Sequence, residues 1–396
     1  MFARVKVLLF VTCSFASFAL VGAAQAADPV RITVISDQDD DIYDARAGRG
    51  GVDATRMAVE DFGGTVLGRP VIVDALNDHN KPVEAPGLAK QAFDAGADLL
   101  MDVQNAPIAL AISKVATERH KLAISTGSAS PALTRAECSR YFYHYSFDLT
   151  AIESATADYL AAQSKRWVFI ADDSGFGRAG LATMTPKISA HGGEVVKTFL
   201  TPTEDGYAAV IEEVRGLKPD VVAVINAGAK DDAVVSAVTK AKLSAITTTA
   251  LLYLSDVDRI KDGYAGLVAT VPWYWNLDPT ARAWADRFAA AHDGRRPTAA
   301  QAADYSATTQ WLNAVRTAGT TDADAVIRVL DGHKFDDLFA HSGEFRASDH
   351  MVVHDLYVAK VRASAELPEP HAWYNILATV PAATAFPAGT ECKMTQ

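Results

Sequence analysis

Residues 99–126, LLMDVQNAPIALAISKVATERHKLAIST, hold a short apolar run, a longer amphipathic run and a second short apolar run. The pattern predicts a strand over Leu99 to Val103, a helix over Ile108 to Glu118 and a strand over Leu122 to Thr126, with Pro107 where proline suits a first helical turn. Strand, helix and strand of these lengths make a βαβ unit with parallel strands. Working outward, Val30, Ile32 and Val34 start a strand of period two, and Val52, Thr55, Val59 and Phe62 recur at helical spacing until Gly63-Gly64 stops them. Pro70 to Ala75 reads as a strand, Leu88 to Ala95 as a helix, and Pro131 opens another helical turn. These elements complete one α/β lobe.

A second lobe is expected to open at Thr150-Ala151-Ile152-Glu153, whose spacing is that of a capping box for a helix reaching about Gln163. Strands over Trp167 to Ala171, Val195 to Phe199, Val221 to Asn226 and Thr247 to Leu252 then alternate with helices over Gly180 to Ala190, Tyr207 to Leu217 and Asp231 to Lys242. Beyond Trp275 come three helices, Thr280 to Ala291, Thr298 to Ala318 and Ala323 to Leu330, and a hairpin through Gly343-Glu344-Phe345 and Val352 to Val361. No Gly-, Pro- or Ser-rich linker separates the halves. The fold class is therefore α/β, with two doubly wound parallel-sheet lobes joined by a hinge that the chain crosses more than once.

Met1 to Ala26 reads as a secretory signal peptide: Arg4 and Lys6 precede an apolar run, and Ala24-Gln25-Ala26 is a small-x-small cleavage signal. The residues before Cys13 argue against a lipid-attachment site. Cleavage would leave 370 residues of 396 and move the formal charge from −11 to −13 by removing Arg4 and Lys6. Such a surface repels nucleic acid and anionic lipid, and no second apolar segment is long enough to span a membrane. Two cysteines would remain, Cys138 and Cys392; in an oxidising compartment an even pair suggests a disulfide, while two buried thiols are the alternative.

The order of elements resembles the leucine/isoleucine/valine-binding family of periplasmic ABC-importer proteins, the type I binding-protein fold. The resemblance is carried by Ala47 to Gly68 (AGRGGVDATRMAVEDFGGTVLG), Ala123 to Thr134 (AISTGSASPALT), Ile170 to Gly180 (IADDSGFGRAG) and Ala302 to Trp311 (AADYSATTQW). It implies a signal peptide over 1–26, an N-terminal lobe of 27–146 plus 272–353 and a C-terminal lobe of 147–271 plus 354–396, with crossings near Ser146, Val271 and His354. It also implies a Cys138–Cys392 disulfide that ties the tail back to the first third of the chain.

In open parallel sheets ligands sit beyond the carboxyl ends of the strands. Gln104-Asn105-Ala106-Pro107 and Gly127-Ser128-Ala129-Ser130-Pro131 each follow a strand and open a helical turn, so they offer small residues and unpaired N–H groups suited to a carboxylate. The blander reading is that Ser130-Pro131 caps a helix and Asn105 makes a turn. By resemblance, Asn105, Ala106, Gly127, Ser128 and Ala129 hold the ligand carboxylate, and Tyr43 and Phe176 wall the ligand. Asn226, at a strand end, and Trp273, Tyr274 and Trp275, at a crossing, are further candidates, as is Tyr305. Three successive aromatics in a strand would put Trp273 and Trp275 on one face and Tyr274 on the other. An aromatic cluster is equally often core. Relatives that bind amino acids hold the ligand ammonium with an acid where this chain reads Leu251-Leu252-Tyr253. Asp148, Asp172 or Asp173 could replace it; otherwise the resemblance points to a carboxylate without an amine, an amide or an alcohol.

The acidic run Asp37 to Asp41 lacks the glycine and glutamate of a calcium loop. The histidines show no zinc spacing. Gly48-Arg49-Gly50-Gly51 lacks the phosphate-loop pattern and reads as a tight helix entry, and no Gly-x-Ser-x-Gly elbow occurs. No cofactor and no catalytic residue is expected. The expected function is capture of a small amphipathic ligand in the periplasm for an ABC permease in the inner membrane; the alternative is a receptor of the same shape that signals to a membrane partner.

Overall fold

The computed structural model describes residues 1, 28–39, 42–200, 207–388 and 391–394. Apart from Met1, the expected signal peptide with Cys13 lies outside the described residues, as do Asp40 and Asp41.

The first half begins with β1 (Val30–Ser36), the short helix α1 (Tyr43–Arg46), α2 (Gly48–Asp61), β2 (Thr65–Val66) and β3 (Arg69–Asn77). It continues through α3 (Ala85–Asp94), β4 (Leu99–Asp102), α4 (Ala106–Arg119), β5 (Leu122–Ser125) and β6 (Phe142–His144). Their strands form one sheet in the order β2-β3-β1-β4-β5-β6, parallel except for the β2–β3 pair. Every residue of β4 and β5 is buried. Helices cover both faces of a parallel sheet, so its central strands read as continuous apolar runs without alternation.

The second half runs through α5 (Leu149–Ala161), β7 (Arg166–Ala171), α6 (Gly175–Ala190), β8 (Glu194–Leu200), α7 (Tyr207–Leu217), β9 (Val221–Ile225), α8 (Ala229–Lys240), β10 (Ile246–Thr249) and α9 (Leu254–Ile260). Its sheet is parallel, in the order β10-β9-β7-β8. Trp167, Phe169, Val221 and Ala223 form its core with Met184 and Ile188 of α6.

The remaining chain serves both lobes. It comprises β11 (Val268–Val271), α10 (Pro279–Ala291), α11 (Ala299–Ala318), α12 (Ala323–Leu330), β12 (Lys334–Phe335), β13 (Gly343–Phe345), β14 (Val352–Val353), β15 (Leu356–Val361), β16 (Tyr374–Val380) and α13 (Ala382–Ala385). β11, β15 and β16 form an antiparallel sheet whose Val268 and Val358 join the second lobe's core. α11 packs along α2 of the first lobe, and Met351 bridges to His144 of β6. Two crossings meet where His354 Nε2 lies 2.5 Å from the Ser146 carbonyl.

Expectations change at several elements. The cap of α5 is Asp148, whose Oδ1 accepts from Ala151 N at 2.7 Å; Glu153 is turned inward and buried, so the Thr150-to-Glu153 capping box does not form. Trp273 to Trp275 lie beyond the end of β11 and all three are buried, so the two-faced strand pattern does not apply. The strand expected to reach Leu252 stops at Thr249. β6 and β16 had no expectation: β6 has three residues, and β16, at a sheet edge, alternates exposed and half-buried positions after the buried Tyr374.

A disulfide joins Cys138 to Cys392 with the Cα atoms 5.6 Å apart. Among the described residues no helix is long and apolar enough to cross a membrane.

Candidate functional site

The carboxyl ends of both parallel sheets face one cleft of about 730 Å³, including its mouth. From the first lobe it is lined by Tyr43 and Arg46 of α1, by Gln104, Asn105 and Ala106 after β4, and by Gly127 and Ala129 after β5. From the second come Phe176 of α6, Asn226 to Gly228 after β9, Asp231 and Asp232 of α8, Leu251 and Tyr253 after β10, and Asp256 of α9.

The turn after β4 is held in an uncommon backbone conformation. Asp102 and Val103 have φ of 76° and 54°. Left-handed backbone is uncommon for any residue with a Cβ and strained for a branched one, at about 1–3 kcal/mol each. The strained pair is tied down: Gln104 Nε2 donates to Asp102 Oδ1 at 3.2 Å, and Thr126 N donates to the Asp102 carbonyl at 2.9 Å. The turn therefore aims Gln104, Asn105 and the start of α4 at the cleft. Gly127 sits against it, since a Cβ there would stand 3.0 Å from Gln104 Cγ.

One cation crosses between the lobes. Arg46 Nη2 donates to Asp256 Oδ2 at 2.7 Å, and the guanidinium lies 4.1 Å from the centroid of the Tyr253 ring and 5.4 Å from that of Tyr43. Burial works against its charge, but Asp256 and the two tyrosines outweigh burial, so Arg46 holds its proton more firmly than an exposed arginine. Arg46 Nε has no hydrogen-bond partner. Burial also pushes the Tyr253 phenol up to about 12, against the pull of Arg46.

Each acid on the wall already has a partner. Asp256 also accepts from Arg259 at 3.3 Å, and Asp232 accepts from Arg259 at 2.5 Å and from the Tyr264 hydroxyl at 2.6 Å. Asp231 accepts from the Thr249 hydroxyl at 2.8 Å, and burial lifts its carboxyl well above the usual range. The wall has an open acceptor in Asn226 Oδ1, which is buried and unpartnered while its Nδ2 donates to the Ile170 carbonyl at 3.3 Å.

Of the residues singled out in the sequence, Tyr43, Gln104, Asn105, Ala106, Gly127, Ala129, Phe176 and Asn226 come together around this cleft. Ser128 is fully buried beside it: its side chain accepts from Ser130 N at 3.3 Å, and His144 Nε2 lies 2.6 Å from its carbonyl. Asp148 is spent on the cap of α5, and Asp172 and Asp173 do not line the cleft. Trp273 donates from Nε1 to the Leu338 carbonyl at 2.7 Å and lines a separate apolar cavity behind Leu251 and Tyr253. Tyr305 donates to Asp61 at 2.7 Å, packed on Trp284 and outside the cleft lining. Arg46, Asp231, Asp232, Tyr253 and Asp256 were not legible. Charged residues at a helix end, such as Arg46, Asp231, Asp232 and Asp256, resemble surface residues, and only packing of distant segments buries them. Among the described residues no group of three or more His, Cys, Asp or Glu could hold a metal ion.

A profile of the periplasmic binding protein family matches residues 29–366, and the chain belongs to that family. Comparison with curated proteins gives no match. Among solved structures, a periplasmic binding protein from Burkholderia mallei is 33% identical, with 92% of this chain and 98% of that one covered and a TM-score of 0.82. A branched-chain amino acid ABC transporter periplasmic ligand-binding protein from Burkholderia xenovorans is 27% identical, with 91% and 99% covered and a TM-score of 0.85. A solute-binding protein from Rhodopseudomonas palustris in complex with benzoate is 20% identical, with 92% and 100% covered and a TM-score of 0.77; this last likeness speaks to the fold alone.

Proposed function

We propose that the protein captures a small carboxylate with an apolar body and no ammonium group, and delivers it in the periplasm to the permease of an ABC importer. The observation that carries this reading is the charge state of the cleft. Every acid on its wall is partnered from within, Asp256 by Arg46, Asp232 by Arg259 and Asp231 by the Thr249 hydroxyl, and burial disfavours charge on Asp231. A ligand ammonium leaving water needs an opposite charge, and none is spare. Donors face the cleft instead: Arg46 Nε has no partner, and the start of α4, whose Asn105 cap makes no side-chain hydrogen bond, opens on it. The carboxylate lies against the Gly127–Ala129 segment and the Gln104–Ala106 turn, and Phe176, Leu251 and the tyrosines cover its body as the lobes close. Closure removes water, which strengthens those polar contacts, while burial of apolar area at about 25 cal/mol per Å² stabilises the closed form. The importer assignment follows the family and the Burkholderia xenovorans relative, and the benzoate complex illustrates that the fold accommodates an aromatic carboxylate.

The test is a thermal-shift and calorimetric comparison of leucine and phenylalanine with 4-methyl-2-oxopentanoate and benzoate, on the chain beginning at Ala27. Binding of the carboxylates alone is expected. Binding of the amino acids in preference would overturn the ligand class.

A further inference from the structure

Beneath the Gln104–Ala106 turn lie two carboxyl groups that ligand contact does not explain. Asp102, the last residue of β4, and Asp304, on α11, are both fully buried. They reach for one hydroxyl: Thr126 Oγ1 lies 2.6 Å from Asp304 Oδ1 and 3.3 Å from Asp102 Oδ1. Their other oxygens face one point, because a methyl on Gly51 would stand 2.6 Å from Asp304 Oδ2 and 3.1 Å from Asp102 Oδ2. Neither of those oxygens has a hydrogen-bond partner.

A hydroxyl carries a single hydrogen and can donate to only one of the two carboxyls. The second contact is a hydrogen bond only if that carboxyl is protonated and donates to Thr126 Oγ1. Two bare carboxylates in one dry site repel, so one of the pair keeps a proton. Asp102 also carries the left-handed φ that sets the direction of the turn, and it accepts from Gln104.

We propose that Asp102 and Asp304 share one proton and serve as positioning residues for the ligand turn, so that loss of this proton releases Gln104 to Ala106 and lowers ligand affinity. This rests on the reading of the cleft as the ligand site. Burial pushes Asp102 up to about 7, with Asp78 adding to the rise and Gln104, Thr126 and Ser36 opposing it. Burial, then Asp102, raises Asp304 well above the carboxylate range, against Thr126. Among the described residues, the titratable groups acting on the pair are thus Asp78 and the two acids themselves. The pair passes from two protons to one near 7, where Asp102 ionises, and Asp304, raised further by that charge, keeps the last proton; affinity is constant while it is held and falls only at alkaline pH.

The experiment measures the Kd of benzoate and of 4-methyl-2-oxopentanoate from pH 5.5 to 10 for the wild type, Asp304→Asn and Asp102→Asn; both probes stay ionised throughout. The wild type should lose at least ten-fold in affinity between pH 7.5 and 10. Either variant leaves one carboxyl with no second charge to repel it, so at least one should bind within three-fold of the wild type at pH 7.5 and stay flat. A flat wild-type profile, or a wild-type slope in both variants, would overturn the proposal. Hydrogen-exchange protection of residues 99–108 without ligand separates this from failure of the ligand reading. If neither probe binds, the ligand class fails. Protection that falls above neutrality in the wild type alone would still support the shared proton and release of the turn, and equal pH dependence in all three proteins would refute them.

Discussion

Arg46 joins the lobes at the cleft through one buried ion pair, and only 8% of its surface is exposed. Truncation to alanine leaves Asp256 with Arg259 alone, at 3.3 Å. Breaking one side of a buried pair costs about 3–5 kcal/mol, and the remaining partner puts this site at the lower end. Arg46→Ala should therefore lose about 3 kcal/mol in urea unfolding and at least ten-fold in affinity for a carboxylate ligand. Unchanged affinity would remove Arg46 from ligand recognition. Asn226 offers a different contrast: its Oδ1 is an open acceptor, so Asn226→Leu should weaken a ligand that donates a hydrogen bond more than one that cannot, as calorimetry on a hydroxylated and an unsubstituted benzoate would read. Strand-end residues such as Asn105, Gly127 and Asn226 were legible because a parallel sheet places its functional loops at one end. Arg46 was not, because nothing local separates it from a surface arginine.

At the scale of elements, α5 shows how two start signals compete. Asp148 and Thr150 are both good cap residues, and the Thr-x-x-Glu spacing favours Thr150. Packing decides otherwise. Glu153 is buried against α6, where a Cβ on Gly180 would stand 2.4 Å from its Oε1, so it cannot reach back to the backbone. Burial, then Asp148, raises its carboxyl well above the usual range. The cap passes to Asp148, and Asp148→Ala should cost about 1 kcal/mol in thermal unfolding while leaving ligand affinity within two-fold. A ten-fold loss of affinity would return Asp148 to the ligand site. The short runs of β4 and β5 were legible because both faces are buried, whereas β16 was missed because an edge strand needs only half of its residues apolar.

Two predictions concern the whole molecule. The disulfide closes a separation of 254 residues, and Cys392→Ser should destabilise the chain by about 2–5 kcal/mol, because the open chain has more unfolded conformations. Binding should survive, since neither cysteine lines the cleft. The second concerns pH. Asp102, Asp231, Asp304 and Glu153 are all held above their ordinary values by burial. Between an unfolded value near 4 and those raised values the folded state binds more protons, so stability falls as pH rises from about 4 toward 7. Carboxylates held low by partners, such as Asp61 beside Arg287, act below that window. Burial also holds His144, His292 and His354 below the usual imidazole value, and they act in the opposite sense as pH approaches 6.5; the urea midpoint should be lower at pH 7 than at pH 5, and a higher one would mean that these histidines outweigh the four acids.

Hydrophobic periodicity alone was enough for the alternation of strands and helices, the two parallel sheets and the end of each that faces the cleft, because those features depend on neighbours a few residues apart. The chemistry of the cleft was not available at that range. Arg46 and Asp256 are 210 residues apart, and Thr126 and Asp304 are 178 apart. Whether a carboxyl is charged depends on how dry its surroundings are and on which cation or hydroxyl reaches it, and both are settled only when distant segments pack together.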